Sequence, residues 1–274
     1  MGATDYLRRR LGRALVFAIL CVVTVVMLYP FWFMLVTSLQ SYSQYLNRSG
    51  FSLDSWVQLS DVLPLAQQLF NSTLVTVSAV AIILVVSTMG GFAFAKLRYP
   101  GRSIVLLAIV GGMMVPLQSI IIPEFVNIAN VGLINQFQGA ILVYAALGTP
   151  FATFLMTTYF RGIPSELIEA SIIDGASYLS VFVKVMIPLA TPALVTVAVL
   201  QFIQIWDDLL IGLLFLQTPE VRTITVGLAT LQSSRIINVP VLMAGSLASA
   251  MPAVIVYVIF QRYLVAGLTM GMRK

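Results

Sequence analysis

Six long apolar runs, separated by short polar breaks, dominate the chain. A helix needs about 20 mostly apolar residues to cross the hydrocarbon core of a bilayer. The runs at about 14–39, 69–95, 103–123, 139–160, 187–214 and 241–264 each meet that length. Gly111, Gly112 and Pro116 predict a kink or break in the third, tolerated where neighbouring helices satisfy the freed backbone groups. The fifth opens on Pro188 and Pro192, and the sixth contains Pro252. The first run follows Arg8, Arg9, Arg10 and Arg13, as the core of a secretory signal would. It is too long for a signal core, however, and no small-residue cleavage site follows it. It closes instead on Tyr29, Phe31, Trp32 and Phe33, an aromatic cluster suited to the membrane interface, and so reads as a retained span. No internal repeat or low-complexity segment interrupts the pattern.

Composition agrees with that pattern. Of 274 residues, 59% are apolar and 9% charged, whereas a soluble domain carries roughly 25% charged residues. The fold expected is an all-α membrane protein with six transmembrane helices, forming a single transmembrane domain over residues 1–274. The chain has no histidine, which removes histidine-based metal sites, Ser-His-Asp triads and histidine general bases. No metal site is expected. The single cysteine, Cys21, lies inside the first apolar run and reads as a small apolar residue.

Basic residues fix the expected orientation. Arg8, Arg9, Arg10, Arg13, Lys96, Arg98, Arg102, Arg161, Lys184, Arg262, Arg273 and Lys274 fall on one side of six crossings, and Arg48, Arg222 and Arg235 on the other. Lys and Arg are retained in the cytoplasm, so both termini are expected there. This distribution also accounts for the net charge of +5 without a nucleic-acid partner. The outward connections fall at 40–68, 124–138 and 215–240.

One inner loop, at about 161–188, has structure of its own. Pro164 precedes Ser165, a good N-cap; Glu166 and Glu169 lie near the positive end of the helix dipole; and Gly175 suits a left-handed C-terminal cap. Leu167, Ala170 and Ser171 share a face, with the two glutamates beside it. Two readings follow from the residues alone: a connector lying at the interface, or a docking helix that offers small residues and carboxylates to another protein.

The stretch Glu169-Ala170-Ser171, Asp174-Gly175-Ala176, Ile187-Pro188-Leu189 resembles the EAA loop of binding-protein-dependent ABC importer permeases. Gly175 and Pro188 stand where that pattern requires, and Ser171 and Ile187 replace an Ala and a Leu. The resemblance extends to the carbohydrate-uptake branch, the maltose-type (MalG-like) permeases. It rests there on Asn71-Ser72, on Phe92-Ala-Phe-Ala-Lys-Leu-Arg-Tyr-Pro-Gly-Arg102, and on Met113-Met-Val-Pro116 with Ile122-Pro123. Further along it rests on Trp206-Asp207-Asp208 and on Gln261-Arg262-Tyr263 with Gly267-Leu268-Thr269 and Gly271. The region from about 41 to 68 aligns only loosely, and Asp207 stands where the branch usually has Asn.

The resemblance implies the type I importer permease fold in a bacterial or archaeal cell (inner) membrane. It also implies a second permease subunit, two ATPase subunits that use ATP and Mg, and an extracytoplasmic binding protein that delivers the sugar. The ATPase-coupling surface carried over is Glu166, Glu169, Ala170, Ser171, Asp174, Gly175 and Ala176, with Pro188 closing the motif. The chain has no phosphate loop, since none of its lysines (Lys96, Lys184, Lys274) follows a glycine. It is therefore expected to bind no cofactor of its own.

For the substrate pathway, ionisable residues at membrane depth are costly and face a cavity or a partner. Trp206, Asp207 and Asp208 are the leading candidates, as an aromatic face beside carboxylates suits a sugar ring; an interhelical hydrogen-bond cluster packing against the partner subunit is the alternative. Gln201 and Gln204 share that span, and Asn71 and Gln118 are further candidates, with packing or membrane-edge roles as the alternative. An ion-coupled secondary transporter or channel would also explain the spans and the Asp207–Asp208 pair, but leaves the inner loop unexplained. An intramembrane enzyme would need a nucleophile–base pair, and none accompanies the two acids.

Overall fold

The computed structural model describes residues 3–232 and 238–270; Arg235, Gly271, Arg273 and Lys274 lie outside the described residues. Among the described residues all regular structure is helical. The chain divides into two units, Met1–Leu63 with Leu231–Ala248, and Pro64–Thr230 with Ser249–Lys274.

The first unit opens with α1 (Ala3–Ser38), whose side chains are exposed from Gly12 to Phe33. A helix apolar around its whole circumference requires a non-aqueous surrounding. The connection expected at 40–68 is largely helical. Ser41 starts α2 (Tyr42–Asn47) with a reciprocal cap: its hydroxyl accepts the Gln44 amide at 3.3 Å and its own amide donates to Gln44 Oε1 at 2.9 Å. α3 (Asp54–Val62) is tied back to the end of α1 by Ser55, whose hydroxyl donates to the Gln40 carbonyl, and by the Ser52 amide, which donates to the Leu39 carbonyl at 2.8 Å.

The second unit is organised on α4 (Leu65–Lys96) and α7 (Phe137–Gly162), which pack along their length. Between them in sequence lie α5 (Arg102–Gly112) and α6 (Leu117–Asn130). In α4 the buried positions Val75, Ala79, Ile83, Ser87 and Gly91 recur every four residues, the stripe of a helix packed on one side. Helices in lipid associate through close packing of small residues, and Gly91 shows why. A Cβ there would come within 2.6 Å of the Met156 Cβ and 3.0 Å of the Thr157 amide nitrogen.

The break expected in the third run is present: α5 and α6 meet at 96° across residues 113–116. Pro116 sets it, with extended geometry (φ −67°, ψ 136°) at the head of α6. The run does not end at 123, as the sequence suggested. α6 continues through Pro123 to Asn130, since proline's fixed φ of about −65° is itself helical and its cost is a lost backbone bond and a local clash. The following connection therefore shrinks to 131–136.

After α7 come α8 (Glu166–Ile173), α9 (Tyr178–Val181), a π-helical turn over Phe182–Met186, α10 (Ile187–Leu189) and α11 (Thr191–Trp206). The segments Tyr178–Leu189 and Thr191–Trp206 are bent by 72°. Carbonyls at the bend are satisfied by side chains: Thr191 donates to the Pro188 carbonyl at 2.9 Å and Tyr159 to the Leu189 carbonyl at 2.9 Å. The fifth run, expected to be continuous to 214, stops at Trp206; the chain breaks at 207–209 and resumes as α12 (Leu210–Phe215). α13 (Ile224–Gln232) and α14 (Val239–Met270) complete the fold, α14 passing from the first unit into the second with Pro252 inside it.

By length and composition, four helices among the described residues can cross a membrane, or up to six if each bent pair is one span.

Candidate functional site

The loop between α7 and α11 presents α8 as a short exposed helix. Ile168 is its one buried residue, and Glu166, Glu169, Ala170 and Ile173 lie on the opposite side, with Ile173 85% exposed. At 100° per residue these four cluster on one face. The expected face of Leu167, Ala170 and Ser171 is thus rotated: Ser171 is half-buried and its hydroxyl donates back to the Leu167 carbonyl at 2.7 Å.

The C-terminal end of α8 is closed by a Schellman turn. Gly175 has φ +86°, its amide donates to the Ile172 carbonyl at 2.9 Å, and the Ala176 amide donates to the Ser171 carbonyl at 3.0 Å. Asp174, the last position before that turn, is exposed. The N-terminal end differs from the sequence expectation. Ser165 has helical geometry (φ −74°, ψ −20°) and its side chain makes no capping bond. Instead the Lys96 ammonium donates to the Ser165 hydroxyl at 3.4 Å and to the Ile163 carbonyl. Pro188 stands apart from α8, on α10 at the bend into α11.

A second feature lies where the α5–α6 break faces α7 and the end of α11. It is a cavity of about 470 Å³, lined by Gly112 and Met113 at the break, Tyr144 and Gly148 on α7, Gln201 and Gln204 on α11, and Asp208. That volume falls in the ~300–1,000 Å³ range of small-molecule sites. Among the described residues that line it there is no Lys or Arg. Gly148 makes room for the Gln201 amide: a Cβ there would overlap Gln201 Oε1 and lie 2.5 Å from Ile83 Cδ1.

Asp208 is held in place. Its Oδ1 accepts the Tyr144 phenol at 2.9 Å and the Ile211 amide at 2.8 Å, and its carbonyl accepts the Thr225 hydroxyl at 3.0 Å. The carboxylate therefore caps the start of α12 and explains why the fifth run breaks there.

Of the residues singled out in the sequence, Gln201, Gln204 and Asp208 meet in this cavity, and four do not. Trp206 is buried; it stacks on Phe202 with centroids 5.4 Å apart, and its Nε1 donates to the Ser249 carbonyl at 2.8 Å. Its indole face is covered, which favours the packing alternative. Asp207 is exposed and ends α11, its amide donating to the Ile203 carbonyl at 3.1 Å. Asn71 is buried and directs Nδ2 to the Glu220 and Arg222 carbonyls, both at 2.9 Å, fastening the segment after α12 to α4. Ser72 joins it by accepting the Ile224 amide at 2.9 Å. Gln118 is exposed on α6, outside the cavity lining. Sequence reasoning missed Tyr144 and Gly148. The signal was a hydroxyl-bearing aromatic four residues before a glycine in an otherwise apolar run, which puts both on one helix face.

Comparison with known proteins gives three findings. The profile of the family described as binding-protein-dependent transport system inner membrane component matches residues 6–270. The chain is 36% identical over 211 residues to the osmoprotective compounds uptake permease protein GgtD of Synechocystis sp., covering 77% of this chain and 71% of that protein. It is 32% identical over 220 residues to the sulfoquinovosyl glycerol transport system permease protein SmoH of Agrobacterium fabrum, covering 80% and 77%. In fold it is similar to a chain of a bacterial ABC transporter involved in the import of the acidic polysaccharide alginate. The TM-score there is 0.81 at 24% identity, over 96% of this chain and 98% of that one.

Proposed function

Because this chain belongs to the family of binding-protein-dependent transport system inner membrane components, we propose that it forms half of the membrane pathway of an ATP-driven carbohydrate importer, moved by a separate ATPase through α8. Membership makes it a multi-pass ABC permease subunit, a transport component and not an enzyme. The proposal adds six spans with both termini cytoplasmic, and a second, different permease subunit as partner. It also adds two ATPase subunits that consume ATP with Mg, and an extracytoplasmic binding protein that hands over the cargo.

The single observation that carries it is the exposed face of α8. Glu166 and Glu169 offer charge-assisted hydrogen bonds, Ala170 permits close approach, and Ile173 supplies an uncovered apolar anchor. A helix that served only as a connector at the membrane interface would turn Ile173 toward the apolar body and the glutamates toward water. Here both lie on one side, which supports contact with a protein partner. The Schellman turn at Gly175 then ends the helix abruptly, so that the docking face is short and its position defined.

Carbohydrate as cargo is supported by the cavity. Amides from Gln201 and Gln204 both donate and accept hydrogen bonds, and the Tyr144 phenol, its proton given to Asp208, still accepts, which matches hydroxyl-rich molecules. The sugar-derived cargo named for SmoH points the same way.

The test is a cysteine at Ala170 in the assembled complex, together with Glu169→Lys. Crosslinks from residue 170 are expected on a nucleotide-hydrolysing subunit, and Glu169→Lys is expected to leave the chain folded while abolishing ATP-dependent sugar uptake. Uptake that persists without ATP and follows an ion gradient would favour the secondary-transporter reading instead.

A further inference from the structure

We infer that Lys96 is a positioning residue for coupling, fastening the start of the α8 loop to α4 so that displacement of α8 moves the packed α4–α7 pair. The inference rests on the reading of α8 as the ATPase contact and concerns how force leaves that contact. Lys96 is the last residue of α4 and is half-buried. Its ammonium donates to the carbonyl of Ile163, the residue directly after α7, and at 3.4 Å to the hydroxyl of Ser165, the residue directly before α8.

The placement is favourable for two reasons. The last carbonyls of a helix have no intrahelical partner and carry the negative end of its dipole, so a cation there is stabilised. Ile163 is the residue that caps α7, extended at φ −78° and ψ 131°; its carbonyl lies just beyond the last helical ones, and its own amide donates to the Phe160 carbonyl at 3.2 Å. The second reason is local. The contact with Lys96 takes up the Ser165 hydroxyl, which does not cap α8, so the α7–α8 junction is held by a side chain from a third helix.

The other end of the loop is fastened too. Tyr159, on the last turn of α7, donates to the Leu189 carbonyl at 2.9 Å, where α10 bends into α11. Between the two fastenings an aromatic group ties the same elements together. Phe92 on α4 packs edge-on against Phe160 on α7 (centroids 6.0 Å, 81°) and against Phe182 in the π-helical turn (5.0 Å). A segment free at its ends would absorb a push on α8 by bending. One anchored at 163 by Lys96 and at 189 by Tyr159 passes it to α4, α7 and α11, two of which line the cavity. Coupling is carried by contiguous rigid elements of this kind.

The experiment uses the whole importer with its binding protein in proteoliposomes, and measures sugar taken up per ATP hydrolysed. K96M keeps an unbranched side chain, one heavy atom shorter, and removes the charge and donors; K96R restores charge and donors. In K96M the ATPase subunits are expected to co-purify and hydrolyse ATP near the wild-type rate while sugar per ATP falls about tenfold, a normal size for a coupling between sites; K96R recovers most of that loss. Y159F, which removes one oxygen, serves as the second variant and is expected to lower the ratio in the same direction.

A wild-type ratio in K96M overturns the inference, and if K96M does not assemble, a wild-type ratio in Y159F overturns it. Glu169→Lys in the same assay separates the two levels. If it leaves uptake and ATPase binding unchanged, the docking role of α8 falls; if it abolishes them while K96M and Y159F transport normally, only the fastening falls.

Discussion

The Tyr144 phenol donates a 2.9 Å hydrogen bond to the carboxylate of Asp208, joining the middle of α7 to the break that follows α11. Asp208 is thereby a fixed point of the cavity wall and not a loose charge. Hydrogen bonds to charged groups contribute about 1.5–3 kcal/mol. Tyr144→Phe should accordingly lower the melting temperature of the purified complex by several degrees. Unchanged melting of that variant would show that the bond contributes nothing to stability.

Gly148 and Gln201 form a second pair across the same cavity. Gly148→Ala should displace the Gln201 amide, since the added Cβ overlaps Gln201 Oε1, and overpacking of this kind costs about 1–3 kcal/mol. The melting temperature of the complex should drop in Gly148→Ala and recover in part when Gln201→Ala is added, which removes the overlapped amide. Additive effects of the two substitutions on melting would remove the coupling between these residues.

Asp207 gives a contrasting expectation. It is exposed, ends α11 through its backbone amide and lies outside the cavity lining. Asp207→Asn keeps size and geometry, so uptake should stay within about twofold of wild type, as for surface changes away from packed features. Complete loss of transport by an intact assembly would assign the charge a role of its own.

Much of this was legible from the sequence, and the gaps have physical causes. Apolar runs located the long helices because lipid demands length and hydropathy from each segment independently. Gly111, Gly112 and Pro116 marked the sharp bend for the same local reason. The break at Asp207–Leu209 was not visible, since it depends on Tyr144 and Thr225 reaching Asp208 from distant parts of the chain. Ser165 looked like a cap by its neighbours, but Lys96, remote in sequence, took its hydroxyl. Trp206 fitted either a sugar platform or an interhelical cluster by residue type, and only packing against Phe202 and Ser249 shows its face covered.

Gly175 supports a graded prediction. Its φ of +86° is strained for residues with a Cβ, yet an added Cβ would meet nothing within 4 Å. The effect of substitution is therefore confined to the backbone, roughly 1 kcal/mol or more for Ala and less for Asn, which tolerates left-handed geometry better. Sugar uptake per ATP should fall in the order Gly, Asn, Ala, Val, with little change in overall melting. Equal coupling across the series would mean that the turn after α8 does not define the docking face.

The bare surface of α1 has a practical corollary. No side chain from Gly12 to Phe33 is packed away, and among the described residues that rod is held at its C-terminal end, where Thr37 and Ser38 are buried. Cys21, the sole thiol, sits on it and is exposed. A polarity-sensitive fluorophore attached there, with no mutation needed, would report when neighbouring subunits or lipids close around the helix.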